Sequence, residues 1–419
     1  MTVTVETPRD QQPETPGSSI GSAVQQYVNK VRGGDVGSLP AIFGLVVLVA
    51  FFSILEPSSF ATTRNLANLL VQAAPVMFIA MGLVFILLLG EIDLGAGYTA
   101  GTAAAVMGVL LTNHGVSLPL AVLACIATGV VIGLGVGMLV ALLNIPSFVV
   151  TLATFLGLQG VLLLVIGEGG TISVKNETIL AIMNNNMTPL WGWVLFLVVA
   201  VGFALSTLYN VAKRRRAGLP IDAPALIVAR ILAVAVPMAV LVFLLNRERS
   251  NNIIINSLKG VPIIVPFTLV FVLLLTFLLN RTLFGRHVYA VGGNAEAARR
   301  AGINVPGIKI ICFIIGSVMA AVAGILFASY ANSVSPTTGG SQTLLFAVGA
   351  TVIGGTSLFG GKGRVFDAVL GGLVIQVIQN GLPLITQKSG VQFIVTGLVL
   401  LLAASVDAIS RRRAAASGR

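Results

Sequence analysis

Two carboxylates, Glu91 and Asp93, stand in a chain of 419 residues that is 56% hydrophobic and only 9% charged. They lie within residues 90–97, where three glycines and the two acids interrupt an apolar stretch. A charge at bilayer depth costs roughly 2.5–3.5 kcal/mol, so such groups face protein or water. The pattern therefore predicts either an interrupted helix that lines a translocation path or a tight turn at the cytoplasmic end of a helix with solvated acids.

A second glycine-rich break covers residues 354–364. It has a superficial likeness to a phosphate-binding loop, which requires a glycine six residues before its lysine and a Ser or Thr after it. Here Thr356 stands six residues before Lys362, and Gly363 follows the lysine. The segment is therefore interpreted as a helix break with a basic cytoplasmic edge, and ATP binding there is excluded.

A third break precedes a helix that is predicted to begin near Pro146, a residue tolerated in the first turn of a helix. Breaks in separate spans indicate a central pathway in transporters. The candidates for this pathway are the polar and small residues at the breaks, with one amide farther along a span: Glu91, Asp93, Ser147, Thr151, Gln159, Gly354, Gly355, Thr356 and Ser357.

Catalytic and metal-binding constellations are not predicted. His114 and His287 fall in loops on opposite sides of the membrane, and Cys125 and Cys312 lie in apolar runs. Neither a Ser/His/Asp nor a Cys/His arrangement can be assembled inside the bundle. We therefore expect no catalytic residue, no metal and no cofactor bound by this chain.

The elements that must position these residues are membrane spans. A soluble domain has about 25% charged residues, so the composition excludes a soluble enzyme, a nucleic-acid binder and a disordered protein. Spanning helices need about 20 mostly apolar residues. The sequence predicts an all-α polytopic membrane protein with discontinuous helices and about twelve spans: 39–55, 66–89, 97–112, 117–142, 147–166, 191–210, 225–245, 262–280, 308–330, 343–359, 366–386 and 391–409.

The basic residues predict the orientation. With the N-terminus inside, 19 of the 25 Lys and Arg residues fall on the cytoplasmic side, which favours both termini inside. The chain then divides into a disordered cytoplasmic tail (1–38), a membrane domain (39–410) and a basic cytoplasmic tail (411–419).

The longest predicted cytoplasmic loop, residues 281–307, contains a short helix. Gly292 and Gly293 are expected to break the chain, Asn294 is a favourable N-cap, and Gly302 can end the helix. Glu296 and Arg300 are four residues apart in the stabilising order. A helix of about two turns needs a docking surface, because isolated short helices are marginal. The alternative is an amphipathic connector on lipid headgroups.

This loop resembles the coupling-helix region of permeases in bacterial ABC sugar importers of the ribose, xylose and galactoside group. Residues 90–94 resemble that group's Gly-Gly-Ile-Asp-Leu-Ser element, with departures at Glu91 and Gly95. Residues 145–152 resemble its Pro-Ser-Phe-Ile-Val-Thr-Leu element, and residues 352–363 its C-terminal glycine element. An extra two-span segment at about 211–261 is similar to the xylose-type permeases.

The resemblance implies a permease subunit, without an enzymatic activity, that forms the path for a monosaccharide, xylose or another pentose, in the bacterial plasma (inner) membrane. It implies a cytoplasmic ABC ATPase that uses ATP and Mg, an extracytoplasmic sugar-binding protein, a second permease copy and the lipid bilayer as partners, and no nucleic acid. The residues implied to couple to the ATPase are Gly292, Gly293, Asn294, Glu296, Ala297, Ala298, Arg299, Arg300 and Gly302.

Three alternatives stay open. An ion-coupled secondary sugar transporter could carry a proton on Glu91 or Asp93. A membrane enzyme acting on lipid would need nucleophiles or metal ligands that the sequence does not supply. A nucleoside or an autoinducer-type sugar would change the cargo but not the class.

Overall fold

The chain is almost wholly helical in the residues that the computed structural model describes, which are 39–219, 221, 223–250 and 257–416. The predicted tail 1–38, residues 417–419 of the predicted basic tail and residues 220, 222 and 251–256 of the predicted extra segment lie outside them. The helices of the described part are α1 (Leu39–Leu55), α2 (Thr63–Leu88), α3 (Ala96–Thr112), α4 (Leu118–Leu142), α5 (Ser147–Ile166), α6 (Glu177–Asn184), α7 (Pro189–Arg216), α8 (Pro224–Leu245), α9 (Ile264–Arg281), α10 (Leu283–Gly293), α11 (Ala295–Arg300), α12 (Val305–Ala331), α13 (Ser341–Gly354), α14 (Val365–Ile385) and α15 (Ser389–Ala416).

Each of the twelve predicted spans coincides with one of these helices. Eight are long and apolar enough to cross a membrane, and α1, α3, α13 and the first half of α15 are shorter apolar helices. The prediction of an all-α polytopic membrane protein is confirmed. Two-residue strands, β1 (Ile172–Ser173) and β2 (Ser333–Val334), pair antiparallel.

Helix α2 forms the centre of the larger of two compact units, whose described residues are 39–189, 245–250 and 257–410. Every residue from 73 to 89 is buried. A helix that is apolar on all sides is buried on all sides, and here α12, α13 and α14 surround it. Peripheral helices instead expose large apolar side chains, such as Phe43 (72% exposed), as lipid-facing surfaces require.

Small residues bring α4 against α12, as their spacing predicts. Gly129, Gly133 and Gly137 face residues 310–317 of α12, and a Cβ added to any of them would lie 2.6–2.9 Å from an α12 atom. The absence of side chains on these glycines therefore lets the two backbones approach closely.

The described part of the second unit comprises most of α7 and α8 and the last six residues of α15, 411–416. The last turn of α7 carries the basic run Lys213–Arg216, where positive charge complements the C-terminal end of the helix dipole. The assignment of an extra two-span segment to about 211–261 stays a prediction.

Several predicted boundaries were wrong, and α7 and α15 continue past the predicted span ends at 210 and 409, to Arg216 and Ala416. The predicted span 343–359 ends five residues early, because Gly355 adopts a left-handed conformation (φ 117°) that caps α13. Gly292 and Gly293 do not break the chain but form the end of α10, and the break falls at Asn294, whose extended backbone separates α10 from α11.

Candidate coupling and translocation site

The acidic break, residues 89–95, separates α2 from α3. The chain turns at Gly90, whose φ of 74° favours glycine. Asp93 is buried, and its Oδ1 accepts a hydrogen bond of 2.8 Å from the backbone amide of Gly95, immediately before α3. The carboxylate thus satisfies a free amide at a helix N-terminus, where negative charge is favourable. A break between α2 and α3 is therefore present, and Asp93 is buried and not solvated; that the break lines the translocation path stays a prediction.

The start of α5 holds the same break through two hydroxyl groups. Ser147 Oγ accepts a hydrogen bond from the amide of Ile92 at 3.1 Å. Thr151 Oγ1 lies 3.2 Å from the Ile92 carbonyl oxygen and 2.8 Å from that of Ser147, as donor to both. The two hydroxyls thus contact the amide and the carbonyl of Ile92, which the broken helix leaves free.

Glu91 forms an ion pair with Lys309 of α12, with Oε1 and Nζ 2.5 Å apart. Both side chains are largely shielded, at 16% and 22% exposure. The sequence placed Lys309 among the cytoplasmic charges but gave no sign of this pairing, because 218 residues separate the two. The pair joins the break to the second turn of α12.

The C-terminal glycine element, residues 352–363, packs against the end of α2. The amide of Gly361 donates to the carbonyl of Leu88 at 2.9 Å. Gly360 and Gly361 both have positive φ, which permits this approach of two backbones. The element closes on itself through a bond of 2.8 Å from the Ser357 amide to the Lys362 carbonyl.

The first part of this element contains buried polar and small residues. Thr356 and Ser357 are buried, and Ser357 Oγ accepts a bond of 3.1 Å from the amide of Phe359. Thr356 Oγ1 has no hydrogen-bond partner among the described residues. A Cβ on Gly354 would overlap the carbonyl of Asp367 at the start of α14. These residues serve close packing at the α13–α14 connection.

Helix α11 displays charge on its outer side and is anchored by its inner side. Glu296 pairs with Arg299 at 3.5 Å and with Arg300 at 3.2 Å, and all three side chains are more than half exposed. Asn294 Oδ1 accepts a bond of 2.9 Å from the amide of Ala297, as an N-cap does. Ala298 is buried in the hydrophobic core.

The end of α11 reverses the chain into α12. Gly302 adopts a φ of 83°, and the amide of Ile303 donates to the carbonyl of Ala298 at 3.0 Å. This arrangement fits the predicted C-terminal stop at a glycine. The predicted short helix and its cap are therefore present.

Helix α10 connects α11 to the core. A Cβ on Gly292 would overlap the Leu88 carbonyl oxygen at the end of α2. The Tyr289 hydroxyl donates to the Gly363 carbonyl at 2.8 Å, and burial raises the pKa of this phenol, which therefore stays protonated and able to donate. Helix α10, which leads into the exposed helix α11, thus contacts both α2 and the glycine element.

Residues 65–404 match a family described as the permease component of a branched-chain amino acid transport system. The chain is 34% identical to the xylose transport system permease protein XylH of Haemophilus influenzae, over 89% of this chain and 96% of that protein. The chain belongs to the ABC importer permeases of the ribose/xylose group. Identity to the Escherichia coli XylH is 34% (89% and 92% covered), and to the ribose import permease protein RbsC of Escherichia coli 31% (88% and 92%). No solved structure matches the chain.

The four segments on which the resemblance depends lie in contact in this permease, a multi-pass protein of the bacterial inner membrane. The acidic break touches the start of α5 and the glycine element, and the glycine element touches α10. Of the predicted pathway residues, Gln159 lies apart from these segments, because it is two turns beyond Thr151 on α5, roughly 12 Å along the helix axis. Of the described residues, no group of three His, Cys, Asp or Glu side chains is arranged to hold a metal ion.

Proposed function

We propose that this permease forms the translocation path for a monosaccharide, xylose or another pentose, and that ATP hydrolysis in a separate cytoplasmic ATPase drives it. The named cargo of the XylH relatives supports the choice of sugar. We further propose that two permease copies assemble with two ATPases, and that an extracytoplasmic sugar-binding protein delivers the cargo. ATP and Mg²⁺ would be bound by the ATPase and not by this chain.

One observation carries the proposal: an exposed charged helix, α11, is anchored at the end of the most deeply buried helix of the larger unit. Glu296, Arg299 and Arg300 offer both signs of charge to a partner. Immediately before them, Gly292 contacts the last residue of α2 backbone to backbone. A force applied to α11 would therefore reach the core without passing through flexible side chains.

The acidic break and the glycine element are the segments that would respond to this force. Both contact the end of α2, through Gly90, Gly360 and Gly361. Chain breaks at glycines absorb the changes in backbone angles that accompany helix movements. Displacement of α10 against Leu88 would thus shift the connections from α2 to α3 and from α13 to α14 together.

The decisive experiment measures uptake into proteoliposomes that contain the permease, the ATPase and the binding protein. The sugar panel includes xylose, ribose, galactose, a nucleoside and an autoinducer-type sugar. We expect xylose or another pentose to give the highest uptake and to stimulate ATP hydrolysis. Uptake that persists without the ATPase and follows a proton or sodium gradient would show an ion-coupled transporter instead.

A further inference from the structure

The outer half of α2 carries a stripe of amide side chains. Asn65, Asn68 and Gln72 are spaced i, i+3 and i+7, which places them on one face of the helix. They precede the buried apolar segment that begins at Ala73. Across from them, α14 presents Gln376 and Asn380, four residues apart. Amides at membrane depth must be satisfied by protein or by water, since lipid offers no partners.

One pair in this region is closed. Asn65 and Asn380 donate to each other's carbonyl oxygens at 2.8 and 2.9 Å, and Asn65 also donates to the Phe60 carbonyl. These two hydrogen bonds engage the side-chain nitrogen and the side-chain oxygen of each asparagine. It has the character of a structural contact between helices.

The other amides form an open chain, which we call the amide relay: Gln376, Gln72 and Tyr330. Gln376 Nε2 donates to Gln72 Oε1 at 2.9 Å, and Gln72 Nε2 donates to the Tyr330 hydroxyl at 3.1 Å. Within the described residues, neither the Gln376 carbonyl oxygen nor the Tyr330 hydroxyl proton has a further partner. Tyr330 is 44% exposed, and Asn68, on the same face as Gln72, is exposed too.

Gln376 and Gln72 lie well inside their helices, whereas Tyr330 is the last residue but one of α12, at the end that is predicted to face outside. Gln376 is the twelfth residue of the 21-residue α14, and Gln72 the tenth of the 26-residue α2. Each is roughly 13 Å from the helix end that is predicted to face outside. A partly exposed, incompletely bonded amide at this depth would be costly against lipid. The open side of the relay therefore faces water or a second protein, and not lipid.

We infer that the amide relay, with Asn68, is a binding surface for an uncharged polyhydroxylated solute in the outer half of the path. Amide and phenol groups offer both donors and acceptors, as sugar hydroxyls require, and none of these side chains carries a charge at neutral pH. The inference names the cargo-binding residues of the proposed sugar path and rests on that proposed function. It differs from the pathway residues predicted at the helix breaks.

The first test measures water access at Asn68. In a complex whose two buried cysteines, Cys125 and Cys312, are replaced by alanine, Asn68→Cys is treated from outside with a membrane-impermeant thiol reagent. The control is Val131→Cys, 68% exposed and in the middle of the apolar helix α4. We expect labelling of Asn68→Cys and none of the control, with slower labelling when the binding protein and saturating xylose are added.

Two results of this test would overturn the inference. If the Asn68→Cys variant is not labelled, as the control is not, the amide stripe faces lipid or protein. A disulfide between Asn68→Cys residues of two copies would assign the surface to subunit assembly. Labelling needs no ATP hydrolysis, so a transporter driven by an ion gradient would still show sugar protection here while failing the uptake test above.

The second test separates solute binding from helix packing. Gln376→Met removes the relay's free acceptor at nearly constant volume, and Gln379→Met on the same helix removes an amide that bonds Thr396 of α15. Loss of one or two hydrogen bonds predicts an increase of about 2- to 10-fold in the KM for uptake in the first variant. The second variant should keep the native KM. Equal KM values in both variants, at equal thermal stability, would contradict a solute-binding role.

Discussion

At the scale of single residues, Asp93 distinguishes a structural carboxylate from a proton carrier. Its hydrogen bond to the Gly95 amide needs an acceptor, and an asparagine side chain retains one. We expect Asp93→Asn to keep most ATP-driven uptake, whereas Asp93→Ala should lose about 0.5–2 kcal/mol of stability, as other lost N-terminal caps do. The measurement is uptake in proteoliposomes together with the melting temperature in detergent.

An inactive but well-folded Asp93→Asn permease would contradict this assignment. Such a result would support the alternative in which Asp93 carries a proton during ion-coupled transport. The two variants therefore separate hydrogen-bond geometry from charge.

The Glu91–Lys309 pair is the second residue-scale feature with a measurable effect. Glu91→Gln leaves a largely shielded ammonium without its charge partner, which should cost about 1–2 kcal/mol, between the values for exposed and buried pairs. Adding Lys309→Met should recover part of this loss. Thermal unfolding of the two single variants and the double variant gives the coupling energy, and additive effects would show that the pair contributes nothing.

At the scale of helices, α10 offers two adjacent glycines with opposite predictions. A methyl group on Gly292 would overlap the Leu88 carbonyl, whereas one on Gly293 meets no atom within 4 Å. Gly292→Ala should therefore disrupt the contact with α2 and lower sugar-stimulated ATP hydrolysis at least several-fold. Gly293→Ala should be tolerated and even stabilise α10, because alanine favours helices by up to about 1 kcal/mol. Similar losses in both would refute transmission through Gly292.

Helix α11 tests recruitment of the ATPase. Glu296→Lys places three positive charges on the exposed side of the helix and should reduce co-purification of the ATPase while the permease still inserts. The control is Glu177→Lys, the same change on the exposed first turn of α6, which is predicted to lie outside. An undiminished ATPase yield with Glu296→Lys would argue against docking at α11.

Helix positions were largely predictable from the sequence, since hydropathy over about 20 residues depends on local composition alone. The end of α13 was not, because Leu358 and Phe359 continue the apolar run after Gly355 has already capped the helix. The short helix α11 was predictable from Asn294 and Gly302, since caps act within a few residues. The contacts between distant segments were not predictable, because nothing in the local spacing links Glu91 to Lys309 or Gly292 to Leu88.

At the scale of the whole molecule, the orientation of the chain is a prediction from the distribution of basic residues. With both termini inside, α10 faces the cytoplasm and the segment before α6 faces outside. In the cysteine-free variant, an impermeant thiol reagent applied to intact cells should label Lys175→Cys and spare Arg286→Cys, and both exposed positions should react after lysis. The opposite pattern would invert the topology and remove the ATPase from α11.

The contact between Gly292 and Leu88 has a consequence for how such transporters diversify. It joins main chain to main chain, whereas the proposed recognition of the ATPase depends on the exposed side chains of Glu296, Arg299 and Arg300. Substituting these three side chains would therefore change which ATPase binds, while the backbone contact with α2 would stay intact. A hybrid transporter, with the ATPase of one importer and the permease of another, should therefore be obtainable by replacing α11 of the permease with the helix that the ATPase normally binds.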